Sequence, residues 1–273
     1  MERIPFSIIG EHIMQIPLKV NGKEVKFLLD TGIGPTVISK DFAKELDLKS
    51  AGTMTGKRMS GQELNIPLVK VPLIEAGSLA RENLEAGIFD TSGFPDILKD
   101  IKGILSIGFF KGKLLTIDYL HSLLLVAESD FIDGSVGEAT KVPMQIEYNG
   151  PSVTLYVNMK LPNGRVVKFE VDTGSNVLIV NSKLMGELAV DPKDKSVESV
   201  KGYDETGNYY ERFFTEIKGK ISVDGNPDIS QENPKAIFQD IIHDGLVGHD
   251  FLKRYIVSFD IDKGEMRFYR HSN

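Results

Sequence analysis

Cysteine and tryptophan are both absent from this chain of 273 residues. Without cysteine the protein has no disulfide framework, thiol nucleophile, iron–sulfur cluster or thiolate-bound zinc. The absence of disulfides is consistent with a reducing compartment. It does not require one, because a protein with a large hydrophobic core is also stable without disulfides in an oxidising compartment. Any catalysis by this protein therefore uses side chains other than cysteine.

Long apolar runs and basic clusters are also missing. The longest uninterrupted apolar run is Leu123–Ala127, whereas a membrane-spanning helix needs about 20 such residues. The 32 Lys and Arg are outnumbered by 39 Asp and Glu, which gives a net charge of -7 with no basic block. We therefore expect neither a nucleic acid nor a membrane as partner.

The N-terminal sequence MERIPFSIIGEHIMQIP lacks the basic start and apolar block of a secretory signal. This favours a soluble, cytoplasmic protein, while export stays open if Met1 is not the natural start. The composition, 41% hydrophobic and 26% charged, is that of a globular protein. At about 150 residues per domain, the length predicts roughly two domains.

The second half of the chain repeats the first at a constant offset. Residues 21–32 read NGKEVKFLLDTG and residues 163–174 read NGRVVKFEVDTG, with eight of twelve positions identical and 172 − 30 = 142. The same offset relates GILSIGFF (103–110) to GLVGHDFL (245–252), and LLTIDY (114–119) to IVSFDI (256–261). A register kept over most of each half indicates two homologous lobes in one chain. We assign them to residues 1–130 and 142–273, joined by a polar connector at 131–141.

Each half is predicted to be mostly strand, so the fold class is all-β. Asn21-Gly22 and Asn163-Gly164 are flanked by β-branched and apolar residues and predict two-residue hairpin turns. Residues 223–234 are polar and predict a loop present only in the second half.

Little helix is expected. Ser39 is placed to cap a helix that runs to about Leu46, and Ser182 to cap a shorter one that ends near Leu188. A further brief helix is predicted after Phe94-Pro95.

An Asp-Thr-Gly triplet follows an apolar strand in each half, at Asp30 and at Asp172. A single such triplet is also ordinary turn chemistry, but two at equivalent positions indicate a shared site. A pseudo-two-fold axis between the lobes would bring the two carboxyl groups face to face. Two adjacent carboxyl groups do not both ionise easily, so they share one proton and can act as general acid and general base on one water.

On these triplets and on the GILS and GLVG segments, the chain resembles the aspartic peptidases, the clan of the pepsins and retropepsins. The resemblance covers nearly the whole chain and is closest to two fused retropepsin-like lobes. It implies the bilobal aspartic-protease fold, with two β-barrel-like lobes, and catalysis by Asp30 and Asp172 without metal or cofactor. The residues that it implies as support for the catalytic loops are Thr31, Gly32, Thr173, Gly174 and Ser175.

The first half departs from the family pattern at two positions. Ile33 stands where Ser175 stands in the second half, so Asp30 lacks a hydroxyl donor. Ser106 occupies the place of Gly248 and adds a Cβ beneath the first loop. We therefore predict an asymmetric pair in which Asp172 is ionised and Asp30 holds the proton.

Peptidases of this clan cover their substrate with a hairpin. The candidates are Thr55–Gly61 and Lys201–Gly207, each a Gly-bounded turn between extended stretches. Within them Gly56, Gly202 and Tyr203 are candidate contacts to substrate. Tyr203 is equally compatible with an exposed hairpin residue that binds nothing.

Other polar motifs are assigned no chemistry. Asp90-Thr91-Ser92-Gly93 has no equivalent in the second half and predicts a turn at the start of a helix. Asp118 and Asp260 lie inside late strands, where we expect a structural role. The five histidines show no metal-ligand spacing, and we expect them at the surface or at a groove edge. These are His12, His121, His243, His249 and His271.

The predicted function is an aspartic endopeptidase that acts on an extended peptide or protein substrate. Because one chain carries both halves, we expect a monomer. The alternative is a catalytically weak or inactive retropepsin-like module that binds peptides or mediates assembly.

Overall fold

The computed structural model describes residues 1–91, 93, 95–129, 138–203 and 209–271, and all structural statements below concern these residues. The strands of the first half are β1 (Glu2–Pro5), β2 (Ser7–Ile9), β3 (Ile13–Val20), β4 (Lys23–Leu29), β5 (Val37–Ser39), β6 (Lys49–Lys57), β7 (Glu63–Ala76), β8 (Leu79–Phe89), β9 (Ile101–Leu105), β10 (Leu114–Asp118) and β11 (Leu123–Ala127). Those of the second half are β12 (Thr140–Pro143), β13 (Gln145–Asn149), β14 (Ser152–Lys160), β15 (Val166–Val171), β16 (Leu178–Asn181), β17 (Glu198–Tyr203), β18 (Tyr209–Glu216), β19 (Lys220–Val223), β20 (Asn226–Glu232), β21 (Lys235–Gln239), β22 (Gly245–Val247), β23 (Tyr255–Asp260) and β24 (Glu265–Arg270).

Helix is confined to short segments. The α-helices are α1 (Lys40–Glu45) and α2 (His249–Leu252), and the 3₁₀ helices are Asp96–Leu98, Ile107–Phe110, Ser182–Leu184 and Gly186–Leu188. Among the described residues, none of these helices has the length and apolar character needed to cross a membrane.

Three sheets form the structure, and one of them is shared between the two halves. The first half contributes an eight-stranded sheet in the order β2-β3-β4-β9-β5-β8-β7-β6, and the second half a ten-stranded sheet that runs from β17 to β20, with β13 paired to β14. A six-stranded sheet, in the order β1-β11-β10-β23-β24-β12, takes strands from both halves. This all-β arrangement agrees with the bilobal aspartic-protease fold that the sequence predicts.

The sequence repeat appears as a repeat of strand pairing. In the first half β4 runs parallel to β9 with Leu29 opposite Leu105, and in the second half β15 runs parallel to β22 with Val171 opposite Val247. Both residues of the second pair lie 142 positions after those of the first. Each parallel pair ends immediately before an Asp-Thr-Gly triplet, so the repeat fixes where the two triplets lie.

One of the two predicted hairpin turns is correct, and the other is longer than predicted. Asn21 and Gly22, with φ of 49° and 79°, alone connect β3 to β4. At the second turn Gly164 N donates to Leu161 O and Leu161 N donates to Arg165 O, so three residues form the turn. Pro162 explains the difference, because its φ near −65° suits the first central position of a type I turn and not a type I′ turn.

The first predicted helix is confirmed, but the second is capped differently. Ser39 accepts a hydrogen bond from Phe42 N at the start of α1, which ends at Glu45 with Leu46 as its C-cap. In the second half Asn181, and not Ser182, is the N-cap, because its side chain accepts from Lys183 N. The helix that follows is two 3₁₀ segments. The brief helix predicted after Phe94-Pro95 is the 3₁₀ helix Asp96–Leu98.

The prediction of a polar loop at residues 223–234 is wrong, because β20 occupies most of this segment. This strand pairs with β19 and buries Ile229 and Gln231 on one face. The other face is polar, so no apolar run revealed the strand.

Two further predictions fall partly outside the described residues. Most of the connector predicted at 131–141 lies there, but Thr140 and Lys141 belong to β12, which pairs with β24. The predicted turn at Asp90-Thr91-Ser92-Gly93 includes Ser92, which is also outside the described residues.

Candidate functional site

The two aspartates stand at the ends of the parallel strand pairs. Asp30 N donates to Leu105 O and Asp172 N donates to Val247 O, each at 3.1 Å. The last three residues of each adjoining strand are buried, and all of them are apolar except Glu170. Each carboxyl group is therefore fixed at the edge of a rigid core.

The threonines of the two triplets join the loops to each other. Thr31 N donates to Thr173 Oγ1 at 3.1 Å, and Thr173 N donates to Thr31 Oγ1 at 3.0 Å. Thr31 Oγ1 also donates to Val171 O at 2.6 Å. Both threonines are fully buried, so these hydrogen bonds hold one half of the chain in register with the other.

The glycines allow the two carboxyl groups to approach across the interface. A Cβ on Gly32 would lie 2.7 Å from Asp172 Cγ, and one on Gly174 would lie 2.5 Å from Asp30 Oδ2. Their backbone N–H groups donate within each triplet, Gly32 N to Asp30 Oδ1 at 2.8 Å and Gly174 N to Asp172 Oδ1 at 2.9 Å. Any side chain at either position would push the carboxyl groups apart.

The surroundings of the two carboxyl groups differ, as the Ile33 departure predicts. Ser175 Oγ donates to Asp172 Oδ2 at 2.5 Å, whereas Ile33 has no polar group to offer Asp30. Burial, followed by the neighbouring charge of Asp172 and a hydrogen bond to its side chain, raises the pKa of Asp30 well above its usual range. This asymmetry favours Asp30 as the carboxyl group that keeps the proton.

Ser106 beneath the first loop has a local partner. Its backbone N donates to Thr36 Oγ1 at 3.2 Å, and the two hydroxyl oxygens are also 3.2 Å apart. At the equivalent Gly248, a Cβ would lie 2.5 Å from Ser175 O. The first half thus accommodates Ser106 through Thr36, while the second half requires glycine.

A buried ionisable pair next to the second triplet is not predicted from the sequence. Glu170 Oε2 lies 3.1 Å from His243 Nε2, and these side chains are 8% and 17% exposed. Burial, followed by the charges of Asp172 and Asp30, raises the pKa of Glu170 to about 8. A comparison of the two halves could have revealed Glu170, because the residue 142 positions earlier is the apolar Leu28.

His12 and His249 approach the second loop, and the buried His249 departs from the predicted surface or groove-edge position. His12 Nε2 lies 2.9 Å from Gly174 O. His249 is buried, and its ring centroid lies 4.9 Å from that of Tyr119. Burial, followed by the charge of Lys253, lowers the pKa of His249 to about 4.

The two candidate covering hairpins are present as strand pairs. The first, β6–β7, turns at residues 58–62, where Arg58 N donates to Gln62 O at 2.8 Å. The second, β17–β18, pairs Tyr203 with Tyr209, and residues 204–207 of its predicted tip lie outside the described residues. The first hairpin touches the second half, because Ile242 N donates to Met59 O at 3.0 Å.

The predicted substrate contacts Gly56, Gly202 and Tyr203 lie on these hairpins. A Cβ on Gly56 would lie 2.7 Å from Ile66 Cδ1, and one on Gly202 would lie 2.8 Å from the hydroxyl oxygen of Tyr210. Tyr203 is 72% exposed and contacts the ring of Tyr209. Their role in substrate binding therefore stays a prediction.

A cavity of about 530 Å³ lies between the tip of the first hairpin and the second half. Its walls include Met59, Tyr209, Arg212 and Gln239. Arg212 Nε donates to Gln239 Oε1 at 2.9 Å. Neither aspartate lines this cavity, so it does not contain the candidate site.

The repeated aspartates of the late strands have structural partners. Asp118 accepts from His121 N at 3.1 Å, and Asp260 lies 3.4 Å from Arg267 Nη2. Within the described ranges, no group of three or more His, Asp or Glu side chains is arranged to hold a metal ion.

Comparison with models of protein families places part of the chain. Residues 16–109 match the model of a family described as aspartyl protease. The matched segment begins in β3, includes the first Asp-Thr-Gly triplet and ends just after Ser106. No curated protein matches the chain. The family match supports a place for this chain in the aspartic peptidase clan and a protease type of function.

Proposed function

We propose that this protein is an aspartic endopeptidase in which Asp30 and Asp172 activate one water molecule. The observation that carries the proposal is the crossed packing of the two carboxyl groups, each against the glycine of the opposite triplet. Two carboxyl groups held this close share one proton, which is the arrangement that general acid–base hydrolysis needs. The aspartyl protease match over residues 16–109 supports the same function.

In the proposed reaction each aspartate has a distinct role. The ionised Asp172, held by Ser175, takes a proton from water as the water oxygen bonds to the peptide carbonyl carbon. Asp30 gives its proton to the carbonyl oxygen, so the intermediate is a neutral diol. Asp172 then protonates the amide nitrogen, the C–N bond breaks, and a diol hydroxyl returns its proton to Asp30. Both carboxyl groups end as they began, without a covalent intermediate.

The proposed substrate is an extended peptide bound between the hairpins. The edge strands β6 and β17 of these hairpins can hold such a peptide by adding it as a further strand. The proposed catalytic unit is one chain with lobes at 1–130 and 142–273, because it supplies both aspartates. No second chain is needed to complete the site.

A peptide-binding module without catalysis is the second candidate. Ile33 favours it, because this residue leaves Asp30 without the hydroxyl donor that Asp172 has. A pure binding module does not require two carboxyl groups in contact, so the geometry around the glycines favours the enzyme.

A matched pair of ligands tests the proposal. A statine-type peptide mimics the tetrahedral intermediate through its hydroxyl group, and the same peptide without the hydroxyl is the control. We expect the hydroxyl to tighten binding by roughly 100-fold or more in the wild type, because the transition state is bound more tightly than the substrate. Asp30→Asn and Asp172→Asn should each remove most of that preference. Equal affinity of the wild type for both peptides would favour the binding module.

A further inference from the structure

Glu170 lies on the same face of β15 as the second aspartate. Side chains two residues apart on a strand point to the same side, with about 6.6 Å between their Cα atoms. Glu170 therefore points to the same side of the sheet as Asp172, the residue that immediately follows β15. The position 170 − 142 = 28 is Leu28 in the first half, so only one side of the two-aspartate site has this carboxyl group.

His243 is fixed beside Glu170 by its own loop. Asn181 Nδ2 donates to Ile241 O at 2.6 Å and to His243 O at 3.0 Å, and Asn181 N donates to Asp244 O at 2.9 Å. The ring of His243 packs 5.6 Å from that of Tyr156. These hydrogen bonds hold the loop that carries His243 in place, and the loop in turn holds His243 close to Glu170.

Carboxyl groups outnumber cations around the pair. Lys168 Nζ lies 2.8 Å from Glu147 and 4.1 Å above the ring of Tyr156, and Lys168 N donates to Asp244 Oδ2. Burial, followed by Lys168, lowers the pKa of His243. The titratable and charged groups that face the pair come from several elements. They are Glu147 from β13, Tyr156 from β14, Lys168 from β15, Asp172 just after β15, Asp244 from the loop that carries His243, and Asp30 across the interface.

We propose that Glu170 and His243 form a buried proton-holding pair that widens the pH range over which the two aspartates carry their single proton. The inference rests on the proposed function of that site. Both residues act through the aspartates, so they are positioning residues and not catalytic ones.

The physical reason is that neighbouring proton sites oppose each other's charge changes. With one proton the pair is neutral and leaves the aspartates undisturbed. In acid it gains a proton and becomes positive, which hinders a second proton from binding to the aspartates. In alkali it loses its proton and becomes negative, which hinders loss of the last proton from Asp30.

Single substitutions separate the two effects in the pH profile of kcat/KM. Glu170→Gln should lower the alkaline limit by about one pH unit and leave the acidic limit unchanged. The reason is that a nearby unit charge in a partly polar interior shifts a pKa by about one unit. His243→Gln should raise the acidic limit by a similar amount. Glu170→Leu, which copies the first half, repeats the alkaline shift without a polar group, and Glu232→Gln on exposed β20 should move neither limit.

A titration that needs no catalysis tests the pair independently. Aspartate labelled with ¹³C at the carboxyl carbon reports Asp30 directly, with Asp30→Asn to assign the signal. We expect Glu170→Gln to lower the titration midpoint of Asp30 by about one pH unit. That shift in a protein that cleaves no peptide would support the pair while the proposed function fails. An unchanged midpoint, or an equal loss of activity at every pH, would overturn the pair.

Discussion

At Asp30, burial and the charge of Asp172 both favour the protonated carboxyl group, while two backbone N–H groups favour the ionised one. Burial makes the largest contribution, so the pKa of Asp30 is raised and the balance favours the protonated carboxyl group. A single residue difference between two nearly identical loops thus gives the two carboxyl groups different surroundings. The sequence was sufficient for this prediction, since the offset of 142 residues aligns Ile33 with Ser175.

The raised pKa of Asp30 predicts a pH-dependent cost in stability. The folded state binds more protons than the unfolded state between the ordinary pKa and the raised one, so stability falls as the pH rises through that window. Asp30→Asn removes the titration. We expect its Tm to exceed that of the wild type by a few degrees near pH 7, and the gain to vanish in acid below the ordinary Asp pKa. A thermal melt at both pH values checks this, and a gain that is equal at both would contradict it.

Ser175 predicts a loss of activity when its hydroxyl is removed. Ser175→Ala takes a charge-assisted hydrogen bond from Asp172, and such bonds contribute about 1.5–3 kcal/mol. We expect kcat/KM to fall roughly 10- to 100-fold. Ile33→Ala, which truncates the equivalent residue without removing a hydrogen bond, is the matched control. A smaller loss in Ser175→Ala than in this control would contradict the assigned role.

At the scale of single elements, strands with one apolar face and turns with distinctive residues are predictable. The hairpin at Asn21-Gly22 and the cap at Ser39 follow from local chemistry. The strand β20 does not, because only Ile229 and Gln231 face inward and the rest of the strand is polar. The cap at Asn181 competes with its neighbour Ser182, and only the backbone geometry decides between them.

Proximity between distant elements is the part that local patterns do not contain. Glu170 is visible as a departure from Leu28, but its partner His243 lies in a loop that Asn181 positions. The same holds for His12, which reaches Gly174 from the turn between β2 and β3. Both pairings depend on how sheets and loops pack and not on residue spacing.

The hydrogen bond between the first hairpin and the second half predicts a local change in mobility. Ile242→Pro removes the N–H group that donates to Met59 O. We expect amide hydrogen exchange at residues 58–62 to become about five- to tenfold faster, since a single hydrogen bond contributes about 1 kcal/mol. Exchange measured by mass spectrometry, with Ile242→Ala as the control that keeps the N–H group, tests this. Equal exchange in the two variants would show that the hydrogen bond does not restrain the hairpin.

At the scale of the whole molecule, a shared sheet and an exchange of hydrogen bonds are among the features that couple the halves. One is the six-stranded sheet, in which β10 of the first half pairs with β23 of the second. The other is the exchange of hydrogen bonds between Thr31 and Thr173. The repeat in the sequence predicts two similar halves, while the shared sheet becomes evident only in the structure.

The threonine exchange predicts a large loss of stability on an almost isosteric change. Thr31→Val leaves Thr173 N and Val171 O buried without their partner, and each such group costs about 1–3 kcal/mol. We expect the free energy of unfolding to fall by about 2–5 kcal/mol in urea titrations. Thr53→Val on exposed β6 is the control and should change it by less than about 0.5 kcal/mol. A loss no greater than in this control would contradict the coupling.

The central claim is that both aspartates act on one water. Cleavage of an unbiased peptide library from acid to neutral pH, followed by mass spectrometry, tests it most directly when the wild type is compared with Asp30→Asn and Asp172→Asn. We predict that the wild type cleaves at defined sites and that each variant, still folded by circular dichroism, loses at least about 1,000-fold in rate. Cleavage that survives in either folded variant, or a wild type that cleaves nothing, would contradict the two-aspartate mechanism.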